Sequence, residues 1–207
     1  MPLRNTAHRY GSVTKLLHWS VFLLFLFQYV AAKIMTHMSP GRGQDFFYDW
    51  HKSAGLVLLA LMIGRLIWRS ATPLPDWSPM LSEPERRLSH RLELLMYLVL
   101  LAMPLSGYLF VMAGNYGVRF FGTWHLPNPI GKRPGLAGTA LALHVLFAYA
   151  ALVIVSWHVG HVLKKHCYDG GRFLQRMLPL SRPSPMDPGP PQRPGKIEPL
   201  GADRSVT

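Results

Sequence analysis

Four long apolar runs constrain what this chain can fold into. They extend from about Leu16 to Met35, Phe47 to Trp68, Leu88 to Met112 and Gly138 to Val162. Each run is long enough to cross about 30 Å of hydrocarbon as a helix that rises about 1.5 Å per residue. A water-soluble core of a 207-residue chain could not hide four such runs. The sequence therefore predicts an all-α integral membrane protein, a bundle of four transmembrane helices.

The composition agrees with a membrane protein. Apolar residues make up 49% of the chain and charged residues 15%. Trp and Tyr side chains gather near the ends of the apolar runs, where interfacial rings are found. A secretory signal is the alternative interpretation of the first run, because basic residues precede it and Ala31-Ala32 lies near its end. That run is too long and too aromatic for a typical signal core.

Lys and Arg are unequally divided between the two sides of the predicted bundle. Sixteen precede the first run, surround the connection between the second and third, or follow the fourth, whereas six lie on the opposite side. The positive-inside rule therefore predicts that both termini are cytoplasmic. The net charge of +12 follows largely from this bias and from contact with anionic lipid. Nucleic-acid binding is not indicated, because the basic residues flank apolar spans.

The chain divides into three parts. Residues 1–15 form a cytoplasmic N-terminal segment, residues 16–166 the four-helix domain, and residues 167–207 a cytoplasmic tail. From about residue 178 the tail is rich in Pro and Gly, so we expect it to be disordered. The single Cys167 excludes an intramolecular disulfide and a thiolate-bound iron–sulfur cluster.

Four histidines lie at two matched depths of the predicted bundle. His144 and His158 are fourteen residues apart, so both point from one helix face, about 21 Å apart along its axis. Because the helices alternate in direction, His51 lies at the outer level of His144 and His18 at the cytoplasmic level of His158. Ionisable groups within membrane spans are costly and usually functional. The pattern suits two bis-histidine haems, one above the other.

Other interpretations of these histidines remain open. A structural zinc site would need four ligands close together, and a copper site would want sulfur ligands near the imidazoles. The bland alternative is a set of core histidines that are hydrogen-bonded across helices. Arg65, fourteen residues after His51, lies on the same helix face and could pair with a haem propionate. Alternatively, Arg65 could extend to the headgroups at the helix end.

Several segments together resemble the prokaryotic cytochrome b-561 family over about residues 9–178. They are Arg9-Tyr10, Lys15-Leu16-Leu17-His18-Trp19, Trp50-His51-Lys52-Ser53-Ala54-Gly55, Arg65-Leu66-Ile67-Trp68-Arg69, Met103-Pro104-Leu105-Ser106-Gly107-Tyr108, Phe120-Phe121-Gly122, His144 and His158. The resemblance implies an electron-transport protein of the bacterial inner membrane with two b-type haems. By this resemblance His18 and His158 ligate the cytoplasmic haem iron, and His51 and His144 the outer one.

The resemblance also implies an oxidoreductase activity. Family members exchange electrons with ubiquinone, and at least some oxidise superoxide at the outer face and deliver the electrons to quinone. Relatives in fold are haem-bearing anchor subunits of hydrogenases and formate dehydrogenases, so an anchor subunit with a redox partner protein is the alternative function. A transporter or sensor with intramembrane histidines and no haem is a third.

Further residues are candidates for binding quinone, propionate or an anion. The family often has a His-His pair just after the last ligand, whereas this chain has Lys165 and His166 there. These two residues, together with His90 and His161, are candidates for contact with a quinone or a propionate. In the outer loop, Arg119, Lys132 and Arg133 could steer superoxide toward the outer haem. Ordinary solvated loop charges are the simpler interpretation of these three cations.

Overall fold

Four long helices dominate the described residues of the computed structural model, which are 2–7, 9–76, 82–167 and 173–178. The elements in chain order are α1 (Ser12–His37), α2 (Arg42–Ala71), α3 (Glu83–Ala113), β1 (Val118–Phe120), β2 (Trp124–Leu126), α4 (Pro134–Cys167) and the short α5 (Phe173–Met177). By length and hydropathy, α1 to α4 can each cross a membrane. The predicted four-helix membrane bundle is therefore confirmed.

Each long helix extends beyond the apolar run that predicted it. The start of α3 shows why, since it begins at Glu83 rather than Leu88. Ser82 and Glu85 form a capping box there, and their polar side chains satisfy backbone N–H groups of the first turn. Apolar residues mark the part of a helix that lies in hydrocarbon, whereas its ends are set by caps and polar turns.

The interior is packed most tightly in the middle of the bundle. Helix α1 packs along α2, α3 packs along α4, and α2 meets α3. All four helices contribute to one buried apolar cluster, formed by Val21, Phe25, Leu58, Met62, Val99, Leu100, Met103 and Ala151. On the outside, large apolar side chains such as Leu23, Leu98 and Val153 are more than half exposed in the isolated chain. Such side chains face lipid in a bilayer.

The two ends of the bundle differ in what covers them. At one end, the N-terminal end, Asn5 and Ala7 bond to Pro73 and Asp76, which follow α2, and Arg176 of α5 donates to the Asp76 carbonyl. At the other, the hairpin end, β1 and β2 pair antiparallel. Helix α5 is held against α1, because Trp19 Nε1 donates to the Met177 carbonyl at 2.8 Å and Lys15 Nζ to the Leu178 carbonyl at 2.9 Å. The part of the tail predicted to be disordered lies, after Leu178, outside the described residues.

Candidate functional site

The structure brings the four singled-out histidines together as two facing pairs. At the hairpin end, the ring centroids of His51 and His144 are 6.2 Å apart with an interplanar angle of 85°. At the N-terminal end, those of His18 and His158 are 6.3 Å apart at 64°. Helix α4 supplies one histidine to each pair, α2 supplies His51 and α1 supplies His18.

The spacing within each pair fits a metal ion bound between two imidazoles. Two imidazoles that bind one metal ion from opposite sides, each through a nitrogen at about 2.0–2.1 Å, have ring centroids about 6 Å apart. Both pairs have this separation. Among the described residues, no group of three or more His, Cys, Asp or Glu side chains is placed to hold a metal ion. The arrangement therefore matches axial haem ligation better than a tetrahedral metal site.

His144 is held in place by the backbone of α3. Its Nδ1 lies 2.8 Å from the Met103 carbonyl, which can only accept a hydrogen bond, so Nδ1 carries the proton and Nε2 is left to bind a metal. Gly107 makes room for the ring, since a Cβ at that position would lie 2.8 Å from His144 Nδ1 and Cε1. The segment from Met103 to Gly107 therefore fixes the position of the His144 ring against α3.

His18 is in contact with Arg65 at the other end of the bundle. Arg65 Nη1 lies 3.0 Å from His18 Nδ1, and its Nε donates to the Tyr97 hydroxyl at 3.3 Å. The Trp19 ring packs edge-on against His18 with a centroid distance of 5.7 Å. The guanidinium thus turns toward the interior, at the level of the His18 and His158 pair, instead of extending to the headgroups.

The β-hairpin is fastened to the turn of α2 that carries His51, a feature that the sequence analysis missed. Ser53 Oγ accepts from the Phe121 N–H at 2.7 Å, and Asp49 pairs with Arg119 at 2.6 Å. Phe121 also packs against a neighbouring ring of α2, that of Trp50, at 5.1 Å. Both carboxylate and hydroxyl are largely buried at this contact. The hairpin therefore braces the helix on either side of His51.

The remaining candidates at the N-terminal end are more dispersed. His90 is 64% exposed and lies 3.8 Å from the Glu93 carboxylate, so it does not join the His18 and His158 pair. Lys165 forms an ion pair with Glu85, which joins the end of α4 to the start of α3. His161 and His166 follow His158 on α4 and are half-buried.

Outside the spans, charge and burial differ between the two ends. At the hairpin end, Lys132 and Arg133 are exposed, whereas Arg119 is paired with Asp49. At the N-terminal end, burial raises the pKa of the Tyr10 phenol, which lies 5.7 Å below the Arg176 guanidinium. Tyr10 is therefore neutral and packs as an aromatic side chain beneath α5.

Four apolar helices with facing histidine pairs between them are typical of membrane helical bundles that bind haem. A family model described as prokaryotic cytochrome b561 matches residues 9–180. The chain belongs to the prokaryotic cytochrome b561 family, which confirms the resemblance seen in its motifs. It is therefore an electron-transport protein of a bacterial membrane, and its family binds haem b.

Three relatives are similar to this chain over most of their length. Cytochrome b561 homolog 2 of Escherichia coli is 30% identical over 182 residues, which cover 86% of this chain and 95% of the relative. The probable superoxide oxidase CybB of Yersinia pestis is 26% identical over 166 residues, covering 80% and 93%. Cytochrome b561 homolog 1 of Escherichia coli is 21% identical over 173 residues, covering 83% and 98%.

Proposed function

We propose that this protein is a di-haem cytochrome that moves electrons from a donor at the hairpin end, superoxide being the best candidate, to ubiquinone in the membrane. The observation that carries the proposal is the presence of two facing histidine pairs at opposite ends of one bundle. His51 and His144 would ligate one haem, and His18 and His158 the other. The similarity to a probable superoxide oxidase supports the choice of donor.

The protein's contribution to such a transfer is positioning and burial. Haem b bound by two histidines supplies one-electron, outer-sphere transfer, since no coordination position stays open. The two histidine pairs are separated by the apolar cluster around Leu58 and Met62, which are nearly inaccessible to solvent. This packing excludes water from the region between the two pairs and keeps each histidine at its own level.

Orientation follows from the charge bias. Most Lys and Arg side chains flank the N-terminal end of the bundle. The positive-inside rule therefore favours a cytoplasmic N-terminal end and a hairpin end on the outer face of the inner membrane. Superoxide would then be met outside the cytoplasm.

Arg65 is the propionate partner that we assign at the N-terminal end. A guanidinium turned into a membrane bundle is costly unless an anion is near it, and its fork geometry suits a carboxylate. Arg65 Nη1 lies 3.0 Å from His18 Nδ1; because Nδ1 carries the proton when Nε2 binds iron, the guanidinium would then exchange this contact for the propionate. Its position therefore matches the edge of a haem bound by His18 and His158.

The quinone would bind at the same end. Lys165 is engaged in its ion pair with Glu85, so it serves chiefly to hold α4 against α3. The imidazoles of His161 and His166 are the candidates for hydrogen-bonding a quinone carbonyl, because an imidazole donates hydrogen bonds and exchanges a proton near neutral pH. His90 lies further out, near the surface.

Superoxide-driven quinone reduction tests the proposal. The purified full-length protein is placed in vesicles that contain ubiquinone, superoxide is generated outside, and haem absorbance and quinol are followed together. We expect the haem to become reduced and quinol to accumulate, and superoxide dismutase to abolish both signals. Haem that stays oxidised in the presence of superoxide, yet becomes reduced when a partner oxidoreductase is added, would contradict superoxide as the donor and favour an anchor subunit.

Cations at the hairpin end are expected to accelerate the reaction with an anionic donor. Lys132 and Arg133 are exposed, whereas the charge of Arg119 is offset by Asp49. The Lys132→Gln/Arg133→Gln variant should therefore slow superoxide-driven haem reduction about threefold at low ionic strength, and Arg119→Gln less. The difference should vanish at high salt, because mobile ions screen exposed charges.

Arg87→Gln/Arg91→Gln is the matched control for this measurement, since it removes two exposed cations from the N-terminal end. Its rate should equal that of the wild type in stopped-flow traces at every salt concentration. Equal low-salt rates for all variants would show that the hairpin-end cations are ordinary solvated charges.

A further inference from the structure

Gln28 is a buried polar side chain in the apolar part of α1. It is 5% exposed, and its neighbours along the chain are Phe27 and Tyr29. Burying an amide away from water costs free energy unless its donor and acceptor atoms find partners. A glutamine at this position therefore calls for an explanation from its contacts.

The contacts of Gln28 lead to His51. Its Nε2 donates to the His51 carbonyl at 2.9 Å, and the Gln28 main-chain carbonyl faces the His51 imidazole as a second acceptor near the ring. Gly55, one turn after His51 on α2, gives the amide its space, because a Cβ there would lie 2.9 Å from Gln28 Nε2. The amide is thus fitted into the α1–α2 interface at the level of the hairpin-end histidine pair.

One acceptor and one ring nitrogen are left over at this contact. Among the described residues, Gln28 Oε1 and His51 Nδ1 are the buried side-chain atoms that have no hydrogen-bond partner. The two are complementary: an amide oxygen only accepts, and a histidine that binds a metal through Nε2 carries its proton on Nδ1. For the facing ligand His144, the Met103 carbonyl already serves as acceptor.

We propose that Gln28 is a positioning residue for the haem ligand His51, with Oε1 as the acceptor for the Nδ1 proton when Nε2 binds iron. The inference rests on the proposed di-haem function. A hydrogen bond at Nδ1 makes an imidazole a stronger electron donor to the metal and so favours the oxidised iron. Gln28 therefore lowers the midpoint potential of the haem at the hairpin end and leaves the potential of the haem at the N-terminal end unchanged.

Redox titration of the purified holoprotein tests this role with three variants. Gln28→Met keeps the shape but removes the acceptor, and Gln28→Glu keeps an acceptor oxygen. Gln44→Met is the control, because Gln44 is a second glutamine that bonds within the α1–α2 region, to the Met35 and Met38 carbonyls at 2.9 and 3.1 Å. Haem content by pyridine haemochrome is measured on every sample.

We expect one of the two midpoint potentials to rise in Gln28→Met by up to about 59 mV. For a one-electron couple, this corresponds to a tenfold change in the ratio of oxidised to reduced haem at a given potential. Gln28→Glu should stay at or below the wild-type value, and Gln44→Met should match it. Loss of one haem in Gln28→Met but not in Gln28→Glu would also support the role.

Two results would overturn the inference. One is an unchanged potential in Gln28→Met with both haems present, which would identify the Gln28 main-chain carbonyl as the acceptor. The other is an equal rise in Gln28→Met and Gln28→Glu, which would indicate packing instead of hydrogen bonding. Failure of the underlying function gives a different signature, because wild-type protein that binds fewer than two haems would refute the di-haem proposal before any variant is compared.

Discussion

The His158→Ala substitution is expected to reduce the haem content of the purified protein from two per chain to one. His158 faces His18 at a ring-centroid distance of 6.3 Å, so its loss removes one of two axial ligands from the haem at the N-terminal end. The pyridine haemochrome assay, normalised to protein, measures this directly. His161→Ala is the matched control on the same helix, three residues later, and it should retain both haems.

Double substitutions test the pairing itself. His18→Ala/His158→Ala should lose no more haem than either single variant, because both residues serve the same site, whereas His51→Ala/His158→Ala should lose both haems. Two haems retained in His158→Ala would contradict the assignment of this ligand. Loss of both haems from His18→Ala/His158→Ala would contradict the pairing of these two histidines. It would still agree with each of them being a haem ligand.

The levels of the histidines were predictable because helix geometry is regular. Once four spans are recognised, a rise of about 1.5 Å and a turn of about 100° per residue fix the depth and face of each side chain. Fourteen residues therefore placed His144 and His158 on one face, and the structure has each of them opposite a histidine of another helix. The same reasoning put Arg65 at the level of His18, where the two are in contact.

The hairpin could not be predicted in the same way. Its strands, Val118–Phe120 and Trp124–Leu126, are three residues long, too short for an alternating pattern, and such a hairpin is marginal without support. The support comes from Ser53 and Asp49 on α2, far away in the sequence. For the same reason Arg119 looked like a free cation in the sequence, although a carboxylate 70 positions earlier pairs with it.

Gln28 was visible in the sequence but was not singled out. A polar residue in an apolar run is a signal in itself, since its burial must be compensated. What the sequence did not provide was its partner, because the contact with His51 depends on how α1 crosses α2 and on the space left by Gly55. Periodicity gives depth and face, whereas such a contact needs the packing of two helices.

The Gly107→Ala substitution is expected to weaken haem binding at the hairpin end, although both ligand histidines remain present. A Cβ on Gly107 would lie 2.8 Å from two atoms of the His144 ring, so the ring must shift away from α3 and strain its hydrogen bond to the Met103 carbonyl. Loss of such an orienting contact typically costs about 10–100-fold in metal affinity. Haem content should fall from two toward one per chain, and further in Gly107→Val, when the protein is purified under competition with a haem-binding protein.

Gly64→Ala supplies the control, because a Cβ on this glycine of α2 would meet no atom within 4 Å. It should keep both haems, and its helix should be slightly more stable, since alanine favours a helix over glycine. Full haem content in both Gly107→Ala and Gly107→Val would show that haem binding does not depend on the contact between His144 and α3. A haem loss that is larger in Gly107→Val than in Gly107→Ala would instead show that the position of His144 controls haem binding, because the imidazole is present in both variants and only its position changes.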